Sequence, residues 1–428
     1  MHRLVALFHL RRLTIPSFFY FIYLAVILTP GFFIFRDEYS QSRWHFLFGI
    51  ESVLVTVPLG IWIANSVFQF RRRDTEGYFR RPVATESLGR SGVRLYCLFL
   101  ILASILILVN FVETPVVPLF FLIRNPGDFM AAALLREDSF KLLTSHLTYI
   151  FYVLRGTIFP FLIIVAFGRY RKERQKVWGR LFWISLVLGV FYAALTIEKS
   201  PVATIFGLLV VFLYLFKGGT LGRTATIAAP LLFLSFPLMV VLLAYHGTEG
   251  GSLSAAFQAI GERLFYGPAQ VVEAYFQVFP ALVSYQHGAS MTKLATLMGW
   301  TTINIPNTVG LYMMGTQGDL SSISANSCFV GALNADFGLV GVVLGGVLAG
   351  VIMQAVHIYL FRKPKNVVNL AAYAICAWSF GMLVANPLPT VLLSGGVAFA
   401  LILRSIFAPR SKHSREFNRD PLLIEGEP

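Results

Sequence analysis

Residues 16–35 read PSFFYFIYLAVILTPGFFIF, a stretch without a single charge. A helix needs about 20 mostly apolar residues to cross ~30 Å of hydrocarbon, so these residues by themselves predict a membrane span. The run is longer than the apolar region of a secretory signal and lacks a small-residue cleavage site, so it is expected to stay as an uncleaved anchor. Counting this run as Ile15–Phe35, ten segments qualify. The others are His45–Phe70, Leu95–Val112, Leu147–Phe167, Leu181–Ile197, Val202–Phe216, Thr224–Tyr245, Phe329–Phe361, Val368–Val384 and Thr390–Phe407. Composition agrees: 56% of the 428 residues are hydrophobic and 13% charged, with a mean hydropathy of +0.70. Soluble domains carry about 25% charged residues, so a soluble enzyme of this length would lack a polar coat. With 40 Phe and 17 Tyr the chain is neither fibrous nor disordered. The apolar runs are continuous, whereas barrel strands alternate over ~10 residues. The expected fold is an all-α polytopic membrane protein of about ten transmembrane helices, a single integral membrane domain over residues 1–428.

The net charge of +14 is distributed as a topology signal. With the N-terminus inside, 26 of the 35 Lys and Arg fall in inside segments, among them Arg3, Arg11, Arg12, Arg362, Lys363 and Lys365. Ten crossings return the C-terminus to the same side, leaving 408–428 as a cytoplasmic tail. The basic excess then serves orientation and attraction to anionic headgroups, not a nucleic-acid partner. Cys97, Cys328 and Cys376 have neither disulfide-framework nor metal-ligand spacing.

Two outer connections are long: a first loop over 113–146 and a large loop over 246–328. In the latter, Phe257, Ile260 and Leu264 keep helical spacing, as do Val271, Tyr275 and Phe279 beyond Gly267–Pro268. Two amphipathic helices lying on or dipping into the outer leaflet are expected, separated by a break at that dipeptide. No internal repeat of the kind that builds many transporters is visible.

Arg155 lies about eight residues inside the fourth span, where an arginine needs a polar cavity or a partner. It is either a ligand for phosphate or pyrophosphate, which guanidinium binds bidentately, or half of a structural pair with Glu198, Glu113 or Glu51. Arg136 and Arg263 sit in apolar helical stretches (AAALLRED, AIGERLFYGP) at the depth of a lipid-linked pyrophosphate. For proton transfer the first choice is His287, with Glu273 the leading carboxylate among several outer acids. No triad, phosphate loop, dinucleotide fingerprint or metal cluster is present, and no Asp-x-Asp spacing suggests a metal-dependent nucleotide-sugar transferase. No cofactor is expected.

At 321–350 the chain reads SSISANSCFVGALNADFGLVGVVLGGVLAG. It resembles the signature region of the Wzy-type bacterial oligosaccharide repeat-unit polymerases, in which a small-polar run leads into a Gly-rich span. The matching positions include Asn334, Asp336, Phe337 and Gly338; Asp336 stands where that family more often has asparagine. TPVVPLFFLIRNPGDFMAAALLRED is similar to the family's first outer loop, with Arg136 in the place of its arginine, and RLFYGPAQVVEAYF places Arg263 likewise. Where the family often has an arginine before a later span, this chain has Lys199.

The resemblance implies a GT-C-like bundle in the bacterial inner (cytoplasmic) membrane, with both termini cytoplasmic. It implies transfer of glycan from undecaprenyl pyrophosphate to an acceptor sugar hydroxyl on a second lipid-linked oligosaccharide. Arg136, Arg155, Arg263 and Lys199 would receive the pyrophosphate, and a chain-length regulator is a candidate partner beside the lipid bilayer. An O-antigen-ligase-like transferase and an exporter of lipid-linked sugars are the alternatives.

Overall fold

The computed structural model describes residues 12–34, 41–84, 89–125, 128, 131–132, 134–136, 145–220, 258, 261–289, 291, 299, 303–315 and 324–408. Every regular element among them is helical. In chain order these are α1 (Ile15–Ile34), α2 (Gln41–Val67), α3 (Arg72–Arg80), α4 (Gly89–Glu113), α5 (Pro118–Arg124), α6 (Tyr149–Glu173) and α7 (Lys176–Ala194). There follow α8 (Lys199–Phe216), α9 (Gly267–Val278), α10 (Ile305–Met314), α11 (Phe329–Phe361), α12 (Val367–Val384), α13 (Leu388–Leu392) and α14 (Val397–Phe407). Among the described residues, eight helical stretches are long and apolar enough to cross a membrane: α1, α2, α4, α6, α7, α11, α12 and Leu388–Phe407. The apolar part of α8, Ser200–Phe216, is shorter. The expected span Thr224–Tyr245 and the tail lie outside the described residues.

Proline placement shapes three of these helices. Leu24–Leu28 in α1, Leu154–Ile158 in α6 and Glu262–Tyr266 before α9 are each widened to a π-helical turn. Pro30, Pro160 and Pro268 follow two residues after each turn. Proline lacks the N–H of the i→i−4 bond and crowds the carbonyl four residues back; an extra residue in the turn relieves both. The expected break at Gly267–Pro268 is therefore absent: the chain runs on as helix from the π turn into α9.

The tightest seam joins α2 to α11. A Cβ at Gly60 would meet backbone atoms of α11, Val351 N at 2.8 Å and Gly350 Cα at 3.0 Å. Without a hydrophobic drive between helices in lipid, close backbone approach supplies the dispersion energy of association. α12 is the centre of the other half, packed against α1, α8, α6 and α14. Polar contacts hold the basic end together. Leu13 N–H donates to Tyr214 Oη at 2.7 Å, Ile15 N–H to Tyr373 Oη at 3.0 Å, and Arg404 Nε to Asn369 Oδ1 at 3.0 Å.

Two spans are interrupted. Gly338 in α11 has φ 65° and ψ −159°, a region essentially open only to glycine. The segment expected as Thr390–Phe407 is two helices, with Leu393–Gly396 unwound between α13 and α14 and Gly396 at φ 108°. The large-loop helix also departs from expectation. α9 does not lie on a leaflet: Val272, Glu273, Ala274, Tyr275, Phe276 and Val278 are buried, against α2, α11 and α10. Its aromatic side chains pack into protein; Phe276 meets Phe46 edge-on at 5.8 Å.

Candidate functional site

At the end opposite the basic one, a cleft of about 840 Å³ opens between α1, the start of α2 and α9. One wall is apolar: Ala25, Pro30, Phe33 and Ile34 of α1, with Phe265 facing. The other is a polar stripe on one helical face, Tyr266, Gln270, Glu273 and Gln277, joined by Arg43 from α2. The spacing of four, three and four residues aligns these side chains. Buried residues on the opposite face of α9 turn the stripe inward, toward the cleft.

Glu273 is the best-defined group there. Its Oε1 accepts from Arg43 Nε at 3.0 Å and from Gln277 Nε2 at 3.1 Å. Gln277 Oε1 in turn accepts from Tyr312 Oη of α10 at 3.2 Å. The side chain of Glu273 is only 9% exposed, with the Arg43 guanidinium 3.0 Å away as its ion-pair partner. One oxygen is anchored; Oε2 is left for whatever enters the cleft. A carboxylate so oriented can accept a proton from a hydroxyl, and the amides and Tyr266 can hydrogen-bond or stack on a polyol.

The motif residues are assembled elsewhere on the same layer. The turn at Gly338 frees carbonyls of α11, and the 285–288 loop takes them up. Gln286 N–H donates to Ala335 O and His287 N–H to Asp336 O, both at 2.9 Å, while Gly288 N–H donates to Asp336 Oδ1 at 3.1 Å. The Tyr285 ring occupies the space where a Gly338 Cβ would stand, at 2.9 Å. Asp336 and Asn334 are both buried, Asn334 Nδ2 without a hydrogen bond, and Phe337 is exposed. His287 thus joins the motif through its backbone, in a left-handed turn at φ 49°, with its side chain exposed. The imidazole is not held in place there as Glu273 is in the cleft.

The four expected pyrophosphate residues are divided. Arg136 is half-buried in the short helical turn at 134–136, and Arg155 stands beside Tyr152 in α6. Arg155 Nη2 pairs with Glu198 at 2.8 Å, Nη1 donates to Thr196 Oγ1 at 2.8 Å, and the guanidinium stands 5.4 Å from the Tyr152 ring centroid. Of the two readings open for Arg155, the structural pair with Glu198 is the one formed; Glu51 is exposed on α2 and takes no part in it. Arg263 is exposed on the π turn, two residues before Phe265 of the cleft wall. Lys199 opens α8, with Glu198 as the N-cap.

A thermodynamic cycle separates the roles of Arg155. Glu198→Gln is expected to lower the thermal midpoint, because it strands a guanidinium in a partly buried site. The double variant with Arg155→Gln should regain most of the loss. A double variant no more stable than Glu198→Gln would show that the pair is not what holds this end of α6.

Sequence reasoning passed over Arg43, Gln270, Gln277 and Tyr312. The regular spacing of Tyr266, Gln270, Glu273 and Gln277 was a readable sign. Nothing local marks Arg43, which lies 230 residues from its partner.

The described helices and this cleft define a polytopic α-helical membrane protein with a polar-walled, laterally apolar site at one end. No family model, no curated protein and no solved structure matches the chain.

Proposed function

We propose that this protein elongates glycans on a lipid carrier at the outer face of a bacterial inner membrane. It would transfer an oligosaccharide from undecaprenyl pyrophosphate to the terminal sugar hydroxyl of a second lipid-linked unit. The observation that carries the reading is the Glu273 carboxylate, anchored through one oxygen in a cleft with one apolar and one polar wall. Such a cleft suits an amphiphile with a prenyl tail and a sugar head. The orientation assumed places the basic end in the cytoplasm, by the Lys and Arg bias.

In this scheme Glu273 Oε2 takes the proton of the acceptor hydroxyl as its oxygen bonds to the anomeric carbon. The bond from that carbon to the pyrophosphate oxygen breaks, and the lipid pyrophosphate leaves with the electron pair. Arg263 and Arg136 are the cations proposed to meet the departing charge, Arg155 being held by Glu198. Arg43 and Gln277 are positioning residues that hold the carboxylate.

Purified protein given lipid-linked repeat units, with neither metal nor nucleotide sugar added, should form ladders of polymer on the lipid. Absence of elongation by folded protein in that mixture would refute the proposal. The exporter reading has one observation of its own, the unwound Leu393–Gly396 segment inside a span, since interrupted helices line the sites of many transporters. The two separate in cells. Loss of a polymerase leaves single repeat units displayed outside, whereas loss of an exporter strands them inside.

A further inference from the structure

At the basic end, far from the cleft, two cations stand together without a counter-charge. Arg12, just before α1, lays its guanidinium over the Phe79 ring of α3, 5.1 Å from the centroid. Its Nη1 is buried and has no hydrogen-bond partner. Lys365, in the turn between α11 and α12, is 5% exposed. Its Nζ donates to Phe79 O at 3.0 Å and Arg81 O at 2.8 Å, the carbonyls that end α3. Burial and the neighbouring Arg12 charge hold the Lys365 ammonium at about 8, well below the usual lysine range. Among the described residues, the acids at this end are engaged elsewhere. Asp74 accepts from the Arg71 amide, Glu76 pairs with Arg72, and Glu173 pairs with Arg169.

Arg12 lies over the Phe79 ring while Lys365 bonds the Phe79 carbonyl and faces the Tyr78 ring at 5.8 Å; two like charges this close repel each other, and burial removes the water that would screen them. Helix C-terminal carbonyls offset part of the Lys365 charge but none of Arg12. The missing counter-charge must come from outside this set of groups. At the membrane surface the abundant anion is the lipid phosphate. Guanidinium and ammonium side by side are the usual pair for one phosphate group, the first by paired hydrogen bonds and the second as a point charge.

We infer that Arg12 and Lys365 form a binding site for the phosphate of an anionic phospholipid headgroup, seated against Phe79 where α3 meets the α11–α12 turn. The site does not depend on the glycan reading and gives the lipid a hold on α1, α3 and α11 together.

The test uses the full-length protein in neutral detergent, with phosphatidylglycerol or phosphatidylcholine added, followed by native mass spectrometry and thermal midpoint. Phosphatidylglycerol should remain bound and raise the midpoint of the wild type. Arg12→Gln, which removes no hydrogen bond from the fold, should weaken that retention about fivefold. Arg73→Gln, an exposed arginine on α3, should leave it nearly unchanged. Equal losses in the two variants would mean diffuse attraction and overturn the site, as would full retention in Arg12→Gln. Inorganic phosphate alone producing the whole shift would overturn the assignment to a lipid.

Discussion

Glu273→Gln is expected to reduce glycan elongation about a hundredfold or more, while the protein remains folded and still binds its lipid-linked donor. The size follows from what a positioned general base contributes, about 10²–10⁴ in rate. Gln is nearly isosteric, and its Oε1 can still accept from Arg43 Nε and Gln277 Nε2, so the architecture that holds Glu273 survives. What disappears is the capacity of the second oxygen to take a proton. Glu273→Ala is a poorer test, because it leaves Arg43 without its partner at 3.0 Å and a cavity in α9. The measurement is single-turnover elongation with donor binding followed in parallel. Wild-type turnover in folded Glu273→Gln would remove the carboxylate from the chemistry. His287→Ala supplies the contrast. The imidazole is exposed and the residue's backbone amide does the structural work, so a small effect is expected there. If His287→Ala, not Glu273→Gln, abolished turnover, the base would belong to the 285–288 loop.

Gly60→Ala should produce the largest loss of stability of any single methyl addition in the described helices, about 3 kcal/mol. The added carbon would meet the carbonyl of Val347, Val351 N at 2.8 Å and Gly350 Cα at 3.0 Å, all backbone of α11. Side chains can rotate away from an intruding methyl; two helix backbones can only move apart. Overpacking of this kind costs about 1–3 kcal/mol, occasionally more, and here it strikes the seam with the closest backbone approach. Gly77→Ala in α3 serves as the control. Nothing lies within 4 Å of the Cβ it would create, and alanine favours helix over glycine by about 1 kcal/mol. The thermal midpoints of the two variants in detergent should therefore move in opposite directions. A Gly60→Ala midpoint equal to the wild type would mean that α2 and α11 do not approach as closely as described.

Legibility from sequence divided along physical lines. The apolar runs marked the membrane-spanning helices, because ~30 Å of hydrocarbon sets a length that any chain must meet with uncharged residues. The acid at Asp336 was noticed as unusual; its carboxylate proved to hold the Gly288 amide. The break expected at Gly267–Pro268 was misplaced, since a proline two residues beyond a π turn is accommodated rather than disruptive. The apolar spacing of α9 is the same whether lipid or protein covers it, so the sequence predicts a surface helix where the structure has one packed on α2, α10 and α11.

The sequence by itself determined that this chain is a bundle of apolar helices with a basic end, and which residues of 262–278 share a face. Only the tertiary structure decided that Arg43 meets Glu273, that Arg155 meets Glu198, and that Arg12 and Lys365 share Phe79. The reason lies in the solvent. A helix in lipid is apolar nearly all round, so its pattern states that it crosses but not which neighbour it faces. Partners are chosen by close backbone approach and by the few polar groups that must find each other away from water. Those choices bring together residues from about forty to several hundred positions apart, and no local spacing records them.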